Sequence, residues 1–220
     1  MSNRTHILTL AAACALTTIA SADTIDLEYT GVAGPLTVNV TGEGNYSAGH
    51  MNHTIYSGAV AVGSFQTFCI ELGEYANNGI STYEIVDLTD APDPDNSTPY
   101  TQAQADAVID VIAKAVSLGW INSSLQNTGA SSAQITAIQG AIWGALFSGV
   151  TASGDVNTAL SALSSESLDA GTRNLMANRL RAVVATGEQD MLYVVPLPTS
   201  VWAGLGLLGG LAGVRVARRR

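Results

Sequence analysis

"TQAQADAVIDVIAKAVSL", Thr101 to Leu118, is where the hydrophobic period of this 220-residue chain changes. Thr101 and Gln104 have the spacing of a capping box, and Val108, Ile109, Ile112 and Val116 fall on one helical face. This spacing predicts a helix over the whole stretch. A second helix is expected after Ser131, opened by Gln134 and carrying Ile135, Ile138, Ile142, Trp143 and Leu146. Two more are expected, at about Val156 to Ser164 and Ala170 to Thr186. Upstream of Thr101 the period is two. Ile25 to Tyr29 and Leu36 to Val40 alternate apolar and polar residues and are separated by Gly31 and Gly34-Pro35. Thr54 to Val62 and Ser64 to Leu72 read as a hairpin around Gly63, and Tyr83 to Leu88 as a further strand. Thr89 to Pro99 is a breaker-rich loop. Strands over 23–90, helices over 101–186 and a returning strand at 191–195 imply an α+β domain, a β-sandwich or sheet with a helical insertion.

Both ends of the chain have a different character. Arg4 precedes an apolar run from Ile7 to Ile19, and Ala20-Ser21-Ala22 is a small-x-small cleavage site, so residues 1–22 read as a secretory signal peptide. Cys14 lies within it, and its removal leaves Cys69 as the single cysteine of the mature chain. At the other end, residues 194–220 hold Pro196-Leu197-Pro198, an apolar glycine-rich segment and the cluster Arg215, Arg218, Arg219 and Arg220. The segment from Val201 to Val214 is about 21 Å long as a helix, against a hydrocarbon core of about 30 Å. It is expected to be a short transmembrane helix with its arginines in the cytoplasm, which puts residues 23–193 outside.

Charge narrows the partners. Residues 23–193 keep Lys114, Arg173, Arg179 and Arg181 against all eighteen acidic residues of the chain, a formal charge of −14. Phosphate backbones need the opposite sign, so nucleic acid is not expected. The order Pro-x-Pro, short apolar helix and terminal arginine cluster resembles the PEP-CTERM sorting signal, in its Val-Pro-Leu-Pro variant. The resemblance covers about the last 27 residues and departs from the name-giving motif at Leu197, where that motif has Glu. It implies exosortase as a partner, contact with the membrane through the tail before processing, and a destination in the cell envelope, at the cell surface or in the extracellular matrix. It says nothing of what the ectodomain does, because one sorting tail serves unrelated passengers.

The ectodomain's chemistry turns on "TFCIELGEY", Thr67 to Tyr75. A free thiol outside the cell is readily oxidised, so Cys69 is expected either to be deeply buried or to have its sulfur committed. One commitment needs only a glutamine carboxamide: attack by the thiolate expels ammonia and leaves an internal thioester, an acyl electrophile open to amines and hydroxyls. Gln139, within "AIQGAIWGALF", lies beside the buried face of the second helix, and Gly140 next to it admits a close neighbour.

The pair Phe68-Cys69-Ile70 and Ile138-Gln139-Gly140-Ala141-Ile142-Trp143 resembles the thioester domains of bacterial surface adhesins. The agreement covers Thr67 to Glu74 and Ala133 to Phe147. That resemblance implies a Cys69–Gln139 thioester surrounded by Phe68, Ile70, Ile138, Ile142 and Trp143. It implies a binding protein, not an enzyme, which reacts once with a surface or matrix polymer offering amines or hydroxyls. Lys114, the chain's only lysine, leaves such an electrophile few amines of its own to meet.

Two other classes compete. One is a non-covalent structural matrix or biofilm protein with a reduced, buried Cys69. The other is a cysteine hydrolase using His50 or His53. Their spacing puts these two histidines on opposite faces of a strand, unsuited to joint metal binding. Asp90, Asp93, Asp95 and Asn96 lack the glycine and closing glutamate of an EF-hand, so no metal site and no cofactor are expected.

Overall fold

The computed structural model describes residues 23–92, 98–147 and 149–196. Residues 1–22, expected to be a signal peptide, the apolar segment 201–214 and most of the expected sorting motif (Leu197, Pro198 and Arg218 to Arg220) lie outside the described residues, as do Asp93, Asp95 and Asn96. The rest folds as one antiparallel sheet with four helices. No helix among the described residues is long and apolar enough to cross a membrane.

The strands are β1 (Thr24–Val40), β2 (Gly44–Ser57), β3 (Val60–Thr67), β4 (Ile80–Val86), β5 (Val150–Thr151), β6 (Leu180–Ala185) and β7 (Glu188–Val194). They lie in the order β3-β2-β1-β4-β6-β7, with β5 paired to the end of β1. The sheet curls until its ends meet. Beyond β3 the chain reaches β7 through a bridge between Cys69 and Met191, flanked by hydrogen bonds from Ile70 N to Asp190 O and from Leu192 N to Phe68 O, each 3.0 Å. Of the two arrangements expected from the strand pattern, a single curled sheet is therefore the one adopted, and there is no second sheet among the described residues.

Several boundaries move. Ile25 to Tyr29 and Leu36 to Val40 belong to one strand, because Gly31 and Gly34-Pro35 are absorbed as register shifts against β2 instead of breaking the pairing. The β2–β3 hairpin turns at Gly58-Ala59, not at Gly63: Gly58 has φ 60°, which a primed two-residue turn demands at its first position, while Gly63 pairs with Ile55 inside β3. The strand expected at Tyr83 to Leu88 begins three residues earlier, and Leu88–Asp90 is a short 3-10 turn.

The largest correction concerns Ala170 to Thr186. Only Ala170–Arg179 is helical; Leu180–Ala185 is strand β6, paired on one side with β4 and on the other with β7. Its residues Leu180, Ala182 and Val184 face the helices, while Val183 faces the other core. A strand buried on both faces reads as a continuous apolar run, which periodicity cannot tell from a buried helix. The returning β-structure accordingly begins at Leu180 and not at Met191.

The helices are α1 (Gln102–Ser117), α2 (Ser132–Leu146), α3 (Gly154–Ser165) and α4 (Ala170–Arg179). Both expected capping boxes form, at Thr101/Gln104 and Ser131/Gln134. Helix α2 is buried nearly all round, because it contacts β1, β2 and β5 on one side and α1 and α3 on the other. A Cβ on Gly140 would come to 3.4 Å from the side chains of Val38 and Val150, in ordinary van der Waals contact, so α2 sits against the sheet at this point. Thr136 fixes its height: the hydroxyl donates to Ala48 O at 2.8 Å and accepts from Leu36 N at 3.2 Å.

Candidate functional site

Cys69 occupies the seam where the curled sheet closes. Because its hydrogen-bonded neighbours Phe68 and Ile70 spend their backbone groups on β7, the N–H and C=O of Cys69 itself point the other way, toward α2. Gln139 meets both. Its Oε1 accepts from Cys69 N at 2.9 Å and its Nε2 donates to Cys69 O at 2.7 Å. The carboxamide carbon thus faces the Cα of Cys69, held between two hydrogen bonds to one residue. Gln139 is 1% exposed, deeper than a residue beside the buried face needed to be. Three residues before it is Thr136 and four after it Trp143, so the helical repeat sets all three on the side of α2 that meets the sheet.

Alternation divides the surroundings named from the sequence. Phe68 and Ile70 leave the segment on one face and join Ile138 and Ile142 in the core under α1 and α2. Cys69 leaves on the other face and packs with Trp143, Met51, Tyr83 and Met191. All five expected neighbours are buried, but only Trp143 shares the sulfur's own cluster.

The thiol donates to Glu71 O, with Sγ 2.7 Å from the oxygen. Burial pushes the Cys69 pKa well above the ordinary thiol range, the backbone contact to Glu71 opposes this, and the nearby Glu71 charge adds to it. The indole N–H of Trp143, which makes no hydrogen bond of ordinary length, adjoins the sulfur and favours the thiolate. As a free thiol the sulfur is shielded and its ionisation is disfavoured, unlike the low-pKa thiolate that an exposed reactive cysteine needs.

A cavity of about 230 Å³ reaches both Cys69 and Gln139. Its wall includes Tyr29, Tyr46, Trp143, Glu71 and Glu74, with Tyr75, 78% exposed, at the mouth. No lysine, arginine or histidine among the described residues lines it. Glu71 is 4% exposed and its Oε1 accepts from Asp190 N at 3.3 Å. Burial first and the Asp190 charge second push its pKa up to about 8. Asp190, also buried, accepts from Ala185 N at 3.1 Å. The hydroxyl of Tyr100 donates to Ile70 O, and burial above all pushes that phenol's pKa up.

Glu71, Glu74, Asp190 and Tyr100 were not singled out from the sequence. Glu71 was within reach, since period two places it on the face of Cys69 two residues earlier. Asp190 and Tyr100 arrive from distant segments and carry no local signal. The two histidines lie elsewhere: His50 stacks on Phe68 at 4.5 Å, and His53 sits between Tyr29 at 5.5 Å and Phe65 at 5.4 Å. Neither lines the cavity, and no ring nitrogen of either makes a hydrogen bond of ordinary length. No group of three or more potential metal ligands occurs among the described residues.

Comparison of the chain with family models, with curated proteins and with solved structures returns no match.

Proposed function

We propose that this chain is an exported, exosortase-sorted surface or matrix protein that attaches covalently to a polymer through a thioester between Cys69 and Gln139. The observation that carries the reading is the double hydrogen bond of the Gln139 carboxamide to the backbone of Cys69, at 2.9 and 2.7 Å, in a buried pocket that a cavity reaches. The Cys69 N–H is already placed on the acyl oxygen, where it stabilises the negative charge that develops when sulfur attacks the carbon. Bond formation joins Sγ to the Gln139 carbonyl carbon, breaks the bond to Nε2, and releases ammonia with the thiol proton. An incoming amine or hydroxyl then takes the acyl group and returns the thiol. One such event consumes the site, so the protein binds and does not turn over. Export and sorting rest on the two ends of the sequence.

Intact mass with peptide mapping tests this. The purified protein is expected one ammonia lighter than its sequence, with residues 69 and 139 in one cross-linked peptide, and methylamine is expected to add to Gln139 and free the thiol. A second reading is favoured by the same hydrogen bonds: Gln139 pairs two buried backbone groups that would otherwise be orphaned, which is sufficient work for a structural glutamine. On that reading the protein is a non-covalent matrix component with a packed, reduced Cys69, and its mass is unreduced.

A further inference from the structure

Thioester chemistry at this site has a proton problem. Cys69 is fully buried and holds its proton tightly, the carboxamide nitrogen leaves poorly unless it is protonated to depart as ammonia, and no histidine or lysine among the described residues lines the cavity to help. The group that does line it, on the same face of the same segment, is Glu71. Its backbone oxygen already contacts the sulfur at 2.7 Å, and its carboxyl is tethered by Asp190 N.

We propose that the Glu71 carboxyl is the proton-transfer group of this site, in both the formation and the opening of the thioester. The proposal rests on the Cys69–Gln139 reading. In formation, Glu71 gives its proton to Gln139 Nε2 as the C–N bond breaks and receives the thiol proton as the S–C bond forms, so its own state is unchanged and ammonia leaves neutral. In opening, an amine attacks the acyl carbon, the C–S bond breaks, Glu71 protonates the departing sulfur and takes the proton released by the new amide nitrogen.

A carboxyl does this only if it carries its proton near neutral pH. The groups facing Glu71 supply that condition: desolvation first, then Asp190 from β7 and Glu74 from its own loop, hold it up at about 8. The other titratable groups around it, Cys69, Tyr83 and Tyr100, are all neutral at that pH because burial raises each of them.

The test is the rate of methylamine addition, read by intact mass and divided by the free-base concentration, from pH 6 to 10, in the full chain and in its Glu71→Gln and Glu74→Gln variants. The full chain is expected to show a plateau that falls as pH rises past about 8. Glu71→Gln is expected to react about 100-fold more slowly, as loss of one general acid–base group predicts, with no fall. Glu74→Gln should keep the fall but move it to lower pH, which holds the proposal open to test even if Glu71→Gln does not fold. Equal rates and an unmoved fall in Glu71→Gln, or an unshifted fall in Glu74→Gln, would overturn the role of Glu71 alone. A full chain of unreduced mass would instead remove the thioester on which it stands.

Discussion

The four residues Phe68 to Glu71 present two faces with opposite physics. Phe68 and Ile70 enter a dry core under α1 and α2, where His50 lies flat against the Phe68 ring. Cys69 and Glu71 enter a cavity walled by aromatic rings and carboxyls. A strand's period of two is enough to separate them. The difference teaches that the same segment anchors the fold by one set of side chains and is free to carry chemistry on the other, so the two faces should respond to substitution differently.

The dry face should show the largest effect. Phe68→Ala is expected to cost about 3–5 kcal/mol in urea unfolding, because a fully buried ring is lost and its pocket can relax only in part. A cost below about 1 kcal/mol would break the contrast between the faces.

Next come the two buried histidines, His50 against the Phe68 ring and His53 against Tyr29 and Phe65. Burial lowers His50 and His53 to about 4 each, with the Leu125 backbone partly opposing the shift at His50. Their unfolded value is about 6.5, so the unfolded chain binds protons first as pH falls. Stability is therefore retained above about 6.5 and lost between there and about 4, by roughly 3 kcal/mol per histidine at the limit. Urea midpoints in His50→Gln and His53→Gln should decline less over that window than those of the parent chain. An equal decline would place the acid sensitivity elsewhere.

On the cavity face the sign is reversed. Glu71 is held up at about 8 by burial and then by Asp190, so the unfolded chain releases its proton first as pH rises. Its contribution is intact below the unfolded carboxyl value of about 4.3 and is lost by about 8. Glu71→Gln should therefore gain stability relative to the parent as pH climbs through this range, which thermal unfolding at several pH values would show. A gap that stays constant with pH would mean that Glu71 is ionised in the fold.

Gln139→Ala should cost about 2 kcal/mol, since two buried backbone groups of Cys69 lose their partner. Cys69→Ala should be the mildest, about 1 kcal/mol, yet it alone keeps Gln139 paired while removing any thioester. If Cys69→Ala instead destabilises as much as Phe68→Ala, the sulfur is packed as tightly as the ring.

Much of this architecture was legible in local spacing. Capping boxes at Thr101 and Ser131 marked both long helices because a cap is written within four residues. The pairing of Cys69 with Gln139 was anticipated from two short patterns set 70 residues apart, and the fold brings them into hydrogen-bonding contact. What escaped was set by tertiary context. Leu180 to Ala185 is apolar at nearly every position because both its faces are covered, so its strand character appears only once β4 and β7 flank it. The hairpin turn expected around Gly63 lies at Gly58, and only the register against β2 reveals it. The carboxyl cluster was invisible because Asp190 comes from β7 and meets Glu71 only where the curled sheet closes.

The central claim is a bond between Cys69 and Gln139, and the mass of the purified protein before and after methylamine, with the same measurement on Cys69→Ala, tests it most directly. The account predicts a parent lighter by one ammonia, converted by methylamine to an adduct at Gln139 with a free thiol at Cys69, and neither effect in the variant. A parent of unreduced mass, whose Cys69 reacts with a thiol reagent once the chain is unfolded, would contradict it.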